Sequence, residues 1–325
     1  MKVTEHLDRA TEPLISYEII PPKRGGSIDG VFRTIEQVMP YNPPFIDVTS
    51  HAAEVQLEEQ PGGVYKRRVK RKRPGTIGLC AAIMHHFGVD AVPHLLCHGF
   101  TRQETEDALI ELNYLDIDNV LAIRGDDTGY RKKLLDGRTR NEHAVDLVRQ
   151  IGDMNRGKYL EDLVDATPTD FCIGVGGYPE RHPEAPNLEW DIQRAKEKID
   201  AGADYLVTQM FFDNQYYFTY EKRCREAGIT VPIIPGLKIL TSRRHLNSLP
   251  KFFYTEIPEE LAAEVEETGD DQVRSVGVEW TVRQAAELLD AGVPAIHFYI
   301  MQNSDVVTKV LDKLLDKKKL ISLSE

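Results

Sequence analysis

The chain has 325 residues, of which 41% are hydrophobic and 28% charged, and it carries a formal net charge of -12. Such a chain is globular and water-soluble, with enough apolar material for one large core, and its acidic balance argues against nucleic acid as a general partner. No apolar run approaches the roughly 20 residues of a spanning helix, so no membrane segment is expected.

The charged start MKVTEHLDRATEP has no apolar h-region and does not read as a secretory signal. The next run, LISYEII (Leu14 to Ile20), stops at two prolines and reads as a buried strand. Glu18 stands inside it, on the face of Ser16 and Ile20 and opposite Ile15, Tyr17 and Ile19. A carboxylate there is costly unless paired or protonated, so Glu18 is a candidate catalytic acid; the alternative is a structural residue bridged to Lys23 or Arg24. FIDVTS (Phe45 to Ser50) reads as a second strand. Behind it, YKRRVKRKRP (Tyr65 to Pro74) is basic at almost every position. It reads as a solvated, self-repelling mobile loop, or as a site for RNA or a small polyanion such as a pyrophosphate or an oligo-glutamate tail.

Six more strand-like runs follow: VPHLLCH (Val92 to His98), NVLAIRG (Asn119 to Gly125), FCIGVGG (Phe171 to Gly177), DYLVTQMFF (Asp204 to Phe212), VPIIPGL (Val231 to Leu237) and AIHFYIM (Ala295 to Met301). Helical patterns separate them at Thr101 to Leu115, Asn141 to Met154, Leu188 to Ala201, Asn214 to Ala227, Val278 to Ala291 and Asp305 to Lys317. Three helix exits, DAGAD, EAGIT and DAGVP, look like one repeated unit. Eight alternating units predict an α/β fold, a (β/α)₈ barrel in a single domain over residues 1–325. A doubly wound sheet would need a Gly-rich phosphate turn, and neither GxGxxG nor GxxxxGK[ST] is present. The four cysteines, Cys80, Cys97, Cys172 and Cys224, form no CxxC pair and fit reduced thiols in a cytoplasm.

In a barrel the site forms where strands end. The tips carry Glu18, Thr49, His94 to His98, Arg124 with Asp126, Tyr178 with Glu180 and His182, Gln209, Lys238 and Tyr299. In NVLAIRGDD, Ala122, Arg124 and Asp126 share a face; Arg124 and Asp126 either pair with each other or set an aspartate beside a second carboxylate to divide acid from stabiliser. HLLCH suggests a metal, but His94 and His98 face away from Cys97 and no further ligand sits at the right spacing, so a histidine bonding a ligand or backbone group is expected instead. GVGGYPERHPEAP (Gly174 to Pro186) reads as a fixed loop that admits a flat ligand, or as a tight βα turn.

LISYEIIPPK, FIDVTS, VPHLLC, NVLAIRGD, IGVGGYPERHPEAP, KIDAGADYLVTQMFFD, IIPGL and IHFYIM resemble, in order and spacing, segments of the 5,10-methylenetetrahydrofolate reductase family in its bacterial single-domain form. The resemblance covers essentially the whole chain. It implies an FAD-containing barrel working by ping-pong exchange, in which NAD(P)H reduces the flavin and methylenetetrahydrofolate then takes its place and receives hydride, supplying methyl groups for methionine synthesis. By the same resemblance, Glu18 is the general acid that opens the folate imidazolidine ring, and Asp126 stabilises the resulting cation. Gln209 and Tyr299 match substrate contacts. The positions matching FAD contacts are Thr49, His94, Arg124, Gly125, Asp126, Ala144, Tyr178, His182, Ala185, Asp191 and Lys198. Asp191 and Lys198 stand seven apart on one helix face.

The chain departs from the family pattern at Ser50 and His51, where Tyr-Gly is usual, near Arg243, where an aromatic is expected, and at Asn303, where an arginine is expected. The loop from Asp127 to Asn141 is longer than the common form. Expected partners are methylenetetrahydrofolate, NAD(P)H and further copies of the chain in a homo-oligomer, in a cytoplasmic setting without nucleic acid, membrane or metal. The alternatives are a barrel enzyme of other chemistry and a non-catalytic folate- or flavin-binding regulator.

Overall fold

The computed structural model describes residues 1–126, 129–130 and 132–322, with side chains to residue 316. Asp127, at the end of NVLAIRGDD and the start of the longer loop, lies outside the described residues, as does the side chain of Lys317. A short helix α1 (Val3–Arg9) precedes β1 (Leu14–Ile19), α2 (Asp29–Val38) and β2 (Phe45–Val48). A hairpin of β3 (Glu54–Gln60) and β4 (Val64–Lys70) follows. The chain then alternates through α3 (Thr76–Phe87), β5 (Asp90–Leu96), α4 (Arg102–Tyr114), β6 (Asn119–Ile123), α5 (Ala144–Met154), β7 (Cys172–Gly177), α6 (Leu188–Asp200), β8 (Tyr205–Thr208) and α7 (Asn214–Glu226). The half-strands β9 (Ile233–Ile234) and β10 (Gly236–Leu237) come next. Helices α8 (His245–Phe253), α9 (Glu259–Glu267) and α10 (Val273–Asp290), strand β11 (Ala295–Met301) and helix α11 (Asp305–Ser322) complete it.

All eight expected strands form, and they pair in parallel in the order β10-β11-β1-β2-β5-β6-β7-β8-β9. Only Pro235 separates β9, which pairs with β8, from β10, which pairs with β11, so the two half-strands are one barrel position and close the ring. Pro235 has no N–H for the ladder, but its carbonyl accepts the His297 N–H at 2.9 Å. The (β/α)₈ barrel expected from the sequence is therefore the fold.

Strand alternation sorts the apolar side chains into two cores. Tyr17, Ile19, Val48, Val120 and Phe298 face the helices, where they meet Leu109, Leu147 and Val282. Phe45, Val92, Leu121, Cys172, Tyr205, Val207, Ile234 and Ala295 face the lumen, and Val3 of α1 plugs its N-terminal end. The three similar helix exits each place a glycine at positive φ, at Gly202, Gly228 and Gly292. Each makes the same pair of bonds back into its helix, such as Ala203 N–H to Lys198 O and Gly202 N–H to Ile199 O.

The structure corrects two sequence expectations. The basic run is not a self-repelling loop: β4 pairs antiparallel with β3, whose acidic residues bind it through Arg68–Glu58 (2.7 Å), Lys70–Glu58 (2.6 Å) and Lys72–Glu54 (2.7 Å). Gly174, Gly176 and Gly177 lie within β7, inside the strand expected over Phe171 to Gly177. A Cβ on Gly174 would stand 2.3 Å from the Tyr205 ring, and one on Gly177 would stand 2.6 Å from the Tyr220 hydroxyl, so these glycines make room for tyrosines. Strand β8 ends at Thr208, which leaves Gln209 as the first residue past its tip.

Candidate active site

The residues that share lumen parity with Leu14, Phe45, Val92 and Ala295 become polar toward the C-terminal ends of their strands. Ser16 and Glu18 come from β1, Asp47 from β2, His94 from β5, and His297 and Tyr299 from β11; Lys238 follows β10. Glu18 stands between Tyr299 and Asp47 in the sheet register. His94 Nε2 lies 3.6 Å from Glu18 Oε2 and 3.4 Å from Asp47 Oδ2. On the other flank His297 Nδ1 shares a hydrogen bond with Ser16 Oγ at 2.8 Å and lies 4.0 Å from Asp47 Oδ1. Lys238 Nζ donates to Tyr299 O at 2.6 Å, and Tyr299 Oη donates to Thr208 O at 2.6 Å.

Burial sets the protonation of this wall. Glu18 is 7% exposed, and its carboxyl is pushed up to about 7 by burial, with Asp47 adding to the rise and His94 and Lys238 opposing it. Burial brings the Lys238 ammonium down to about 8 against the pull of Glu18. His94 moves up, because Asp47 and Glu18 outweigh its burial, while burial moves His297 down. Glu18 is thus an acid that holds or releases its proton near neutrality, among groups able to take or return one. Its neighbours are these lumen residues; Lys23 and Arg24, the partners considered from the sequence, are exposed.

Around the mouth, Thr49 follows β2, and among the described residues its Oγ1 is buried without a hydrogen-bond partner, as is His51 Nδ1. Arg124 does not pair with Asp126. Both its terminal nitrogens reach the Glu184 carboxylate at 2.6 Å, while Asp126 is exposed and its backbone carbonyl lies 3.2 Å from His98 Nδ1. Gly125 between them takes φ +82 beneath Leu96. Tyr178 and His182 meet edge to face at 4.7 Å. The His182 N–H donates to Asp191 Oδ2 at 2.9 Å, and the Ala185 N–H returns to His182 O at 2.9 Å. Lys198 Nζ donates to Gly176 O at 2.5 Å, and burial brings it down to about 8. Ala144 opens α5. The Gln209 N–H bonds Gly177 O, and its side-chain oxygen accepts the Met210 N–H at 2.9 Å. Glu18, His94 and Tyr299 therefore form one wall with Lys238, whereas Arg124, Tyr178, His182, Ala185, Asp191 and Lys198 gather around the ends of β6 and β7.

The family profile described as methylenetetrahydrofolate reductase matches residues 2–315. The chain belongs to the methylenetetrahydrofolate reductase family. Among members of that family, it is 29% identical over 323 residues to methylenetetrahydrofolate reductase 1 of Schizosaccharomyces pombe, a match covering 97% of this chain and 48% of that one. It is 26% identical to the 5,10-methylenetetrahydrofolate reductase of Buchnera aphidicola, covering 97% and 96%. The chain spans about half the length of the first curated relatives it matches. A solved Clostridium thermocellum protein, described as uncharacterised and binding two copies of 5-methyl-5,6,7,8-tetrahydrofolic acid, shares the fold at a TM-score of 0.58 and 15% identity, over 98% of this chain and 99% of that one.

Sequence reasoning passed over Asp47, His297, Ser16 and Glu184 as site residues. The first two were open to the rule that singled out Glu18, since each is a lone ionisable group inside an apolar strand. Glu184 lies 60 residues from Arg124 and gives no local signal of that pairing.

Proposed function

We propose that the chain reduces 5,10-methylenetetrahydrofolate to 5-methyltetrahydrofolate with electrons from NAD(P)H, using bound FAD. The observation that carries this reading is Glu18, a buried carboxyl held up to about 7 at the mouth of the lumen. Opening the imidazolidine ring requires a proton at the departing nitrogen, and Glu18 holds one at neutral pH where a surface glutamate would not. His94, in reach of Glu18 and Asp47, provides the site from which that proton is replaced. Asp126 would face the cation left on the opened ring, with its charge strengthened once a ligand excludes water.

The residues present fit FAD. Among the described residues Thr49 Oγ1 is a buried polar atom without a hydrogen-bond partner, and Gly176 presents open space with Tyr178 at 4.0 Å. Thr49, His94, Gly125 and Tyr178 would hold the ring system, and Arg124, Ala144, His182, Ala185, Asp191 and Lys198 its ribose and phosphate end. When bound, FAD supplies a hydride acceptor and donor. Gln209 and Tyr299 would orient the pterin against it.

Glu18→Gln tests the reading. Reduction of the flavin by NADH needs no proton from position 18, so stopped-flow should show it near normal. Reoxidation by methylenetetrahydrofolate should slow by at least about 10²-fold, the lower end of what a general acid supplies. Equal losses in both half-reactions would make Glu18 structural and sink the proposal.

A further inference from the structure

Two polar side chains show how the barrel uses such groups for structure. Asn119 Oδ1 accepts the Val3 N–H at 2.8 Å, and Asp204 Oδ2 accepts that of Ile173 at 2.7 Å, so each ties one element to another. Asp47 of β2 does not. It is 1% exposed and stands between Glu18 and Val92 in the sheet register. Among the described residues neither of its carboxylate oxygens accepts a hydrogen bond. A dry carboxylate held by no hydrogen bond is costly, and what it offers its surroundings is charge.

Two imidazoles stand within ion-pair reach of that charge, and they are not equivalent. His94 Nε2 lies 3.4 Å from Asp47 Oδ2 and 3.6 Å from Glu18 Oε2, so it sits between two carboxyl groups. His297 Nδ1 lies farther from Asp47, at 4.0 Å, and is engaged with Ser16 Oγ at 2.8 Å. Burial moves His297 toward the neutral ring, whereas at His94 the two carboxyl groups outweigh burial. The other titratable groups that bear on Asp47, His94 or Glu18 are Tyr205 of β8, Tyr299 of β11, Cys80 of α3, His51 past β2 and Lys238 past β10. Burial keeps the two tyrosines and the thiol protonated and moves His51 toward its neutral form, while Lys238 acts on Glu18. The charge of Asp47 is therefore left for His94.

We propose that Asp47 is a positioning residue for the acid: its charge lets Glu18 and His94 carry a proton each at the same time, so that Glu18 is reloaded from His94 inside the barrel. This rests on the reading of Glu18 as the general acid. With Asp47 ionised, a protonated Glu18 beside an imidazolium leaves the trio neutral. With an uncharged residue at position 47 the same two protons leave a net positive charge in a buried wall, and one of them is expelled at lower pH. The transfer balances. The Glu18 O–H bond breaks as an N–H bond forms at the departing folate nitrogen, and the His94 Nε2–H bond then breaks as a new Glu18 O–H bond forms. His94 ends as the neutral imidazole, and water returns its proton before the next cycle. Because the three groups titrate as one unit, the pH at which the wall loses its second proton belongs to the trio.

Asp47→Asn and Asp47→Ser both remove the charge and keep a polar group, and far-UV circular dichroism reports that each folds. Histidine NMR on isotope-labelled protein reads the wall directly, with the His94 signal identified by its loss in His94→Gln. In both variants His94 should give up its proton at a pH lower than in the parent by at least about one unit. Stopped-flow reoxidation by methylenetetrahydrofolate should show the same displacement. The variants should run within about twofold of the parent at pH 6 and at least about tenfold slower at pH 8. A His94 titration that stays in place would overturn the proposal, and so would a rate loss equal at every pH, which is the mark of a merely structural aspartate. If His94 shifts as expected but the parent itself is not reoxidised by methylenetetrahydrofolate, the reaction proposed above fails while the two-proton wall stands.

Discussion

Glu18 is buried on β1, and that position has a thermodynamic consequence separate from the catalysis proposed for it. Its carboxyl rises from the ordinary carboxylate range to about 7. A group whose folded-state value is raised contributes stability that is full below its unfolded value and lost as pH rises through the folded one, here between about 4.5 and 7. Glutamine copies the protonated form, so Glu18→Gln should match the parent near the bottom of that window. At pH 8 it should be the more stable of the two, by at most ~3 kcal/mol. Denaturant midpoints at both pH values would measure this, and a variant less stable at pH 8 would mean that the ionised carboxylate is held by Lys238 and His94 instead. At this scale the sequence shows which residues break an apolar pattern, and Glu18 does so plainly. It does not show partners. Arg124 finds Glu184 and not Asp126 because the loop after β7 carries Glu184 back over β6, which local spacing cannot encode.

Glycines show how elements are fitted to one another. A Cβ on Gly277, within α10, would fall 1.8 Å from Leu240 O, a backbone atom that cannot step aside. A Cβ on Gly78, in the first turn of α3, meets nothing within 4 Å. Gly277→Ala should therefore destabilise by more than ~3 kcal/mol through overpacking. Gly78→Ala should stabilise by about 0.5–1 kcal/mol through the lower entropy of the unfolded chain. Urea denaturation of the two variants side by side measures both, and similar shifts would contradict this account of α10. The same glycine explains why the sequence pattern begins that helix at Val278 while the structure begins it at Val273: a glycine at close contact resembles a break. The sequence reading also passed over α3, which is apolar nearly all round and shows no single stripe. It missed β3 because the acidic strand becomes legible only against the basic one it pairs with.

At the scale of the whole molecule the barrel was the most legible feature, because one helix-exit pattern recurs three times and eight apolar runs alternate with helices; the division of one run by Pro235 was not, since only closure of the ring reveals it. Burial extends to every thiol. Cys80, Cys97, Cys172 and Cys224 are free and buried, and burial pushes Cys97 up to about 12 and Cys172 and Cys224 to about 11. The native protein should accordingly show no fast-reacting thiol toward a disulfide reagent, and four on denaturation. A fast native phase would expose an error in the packing of β5, β7, α3 or α7. The lumen itself is two-sided: Ser16, Glu18, Asp47, His94 and His297 line the side formed by β11, β1, β2 and β5, whereas Leu121, Gly174, Gly176 and Val207 line the side formed by β6, β7 and β8. A planar molecule entering such a slot would meet proton-bearing groups on one flank and a largely apolar wall on the other, so the two flanks would favour one way round. For the reaction proposed here, that would write the stereochemistry into the barrel as left and right.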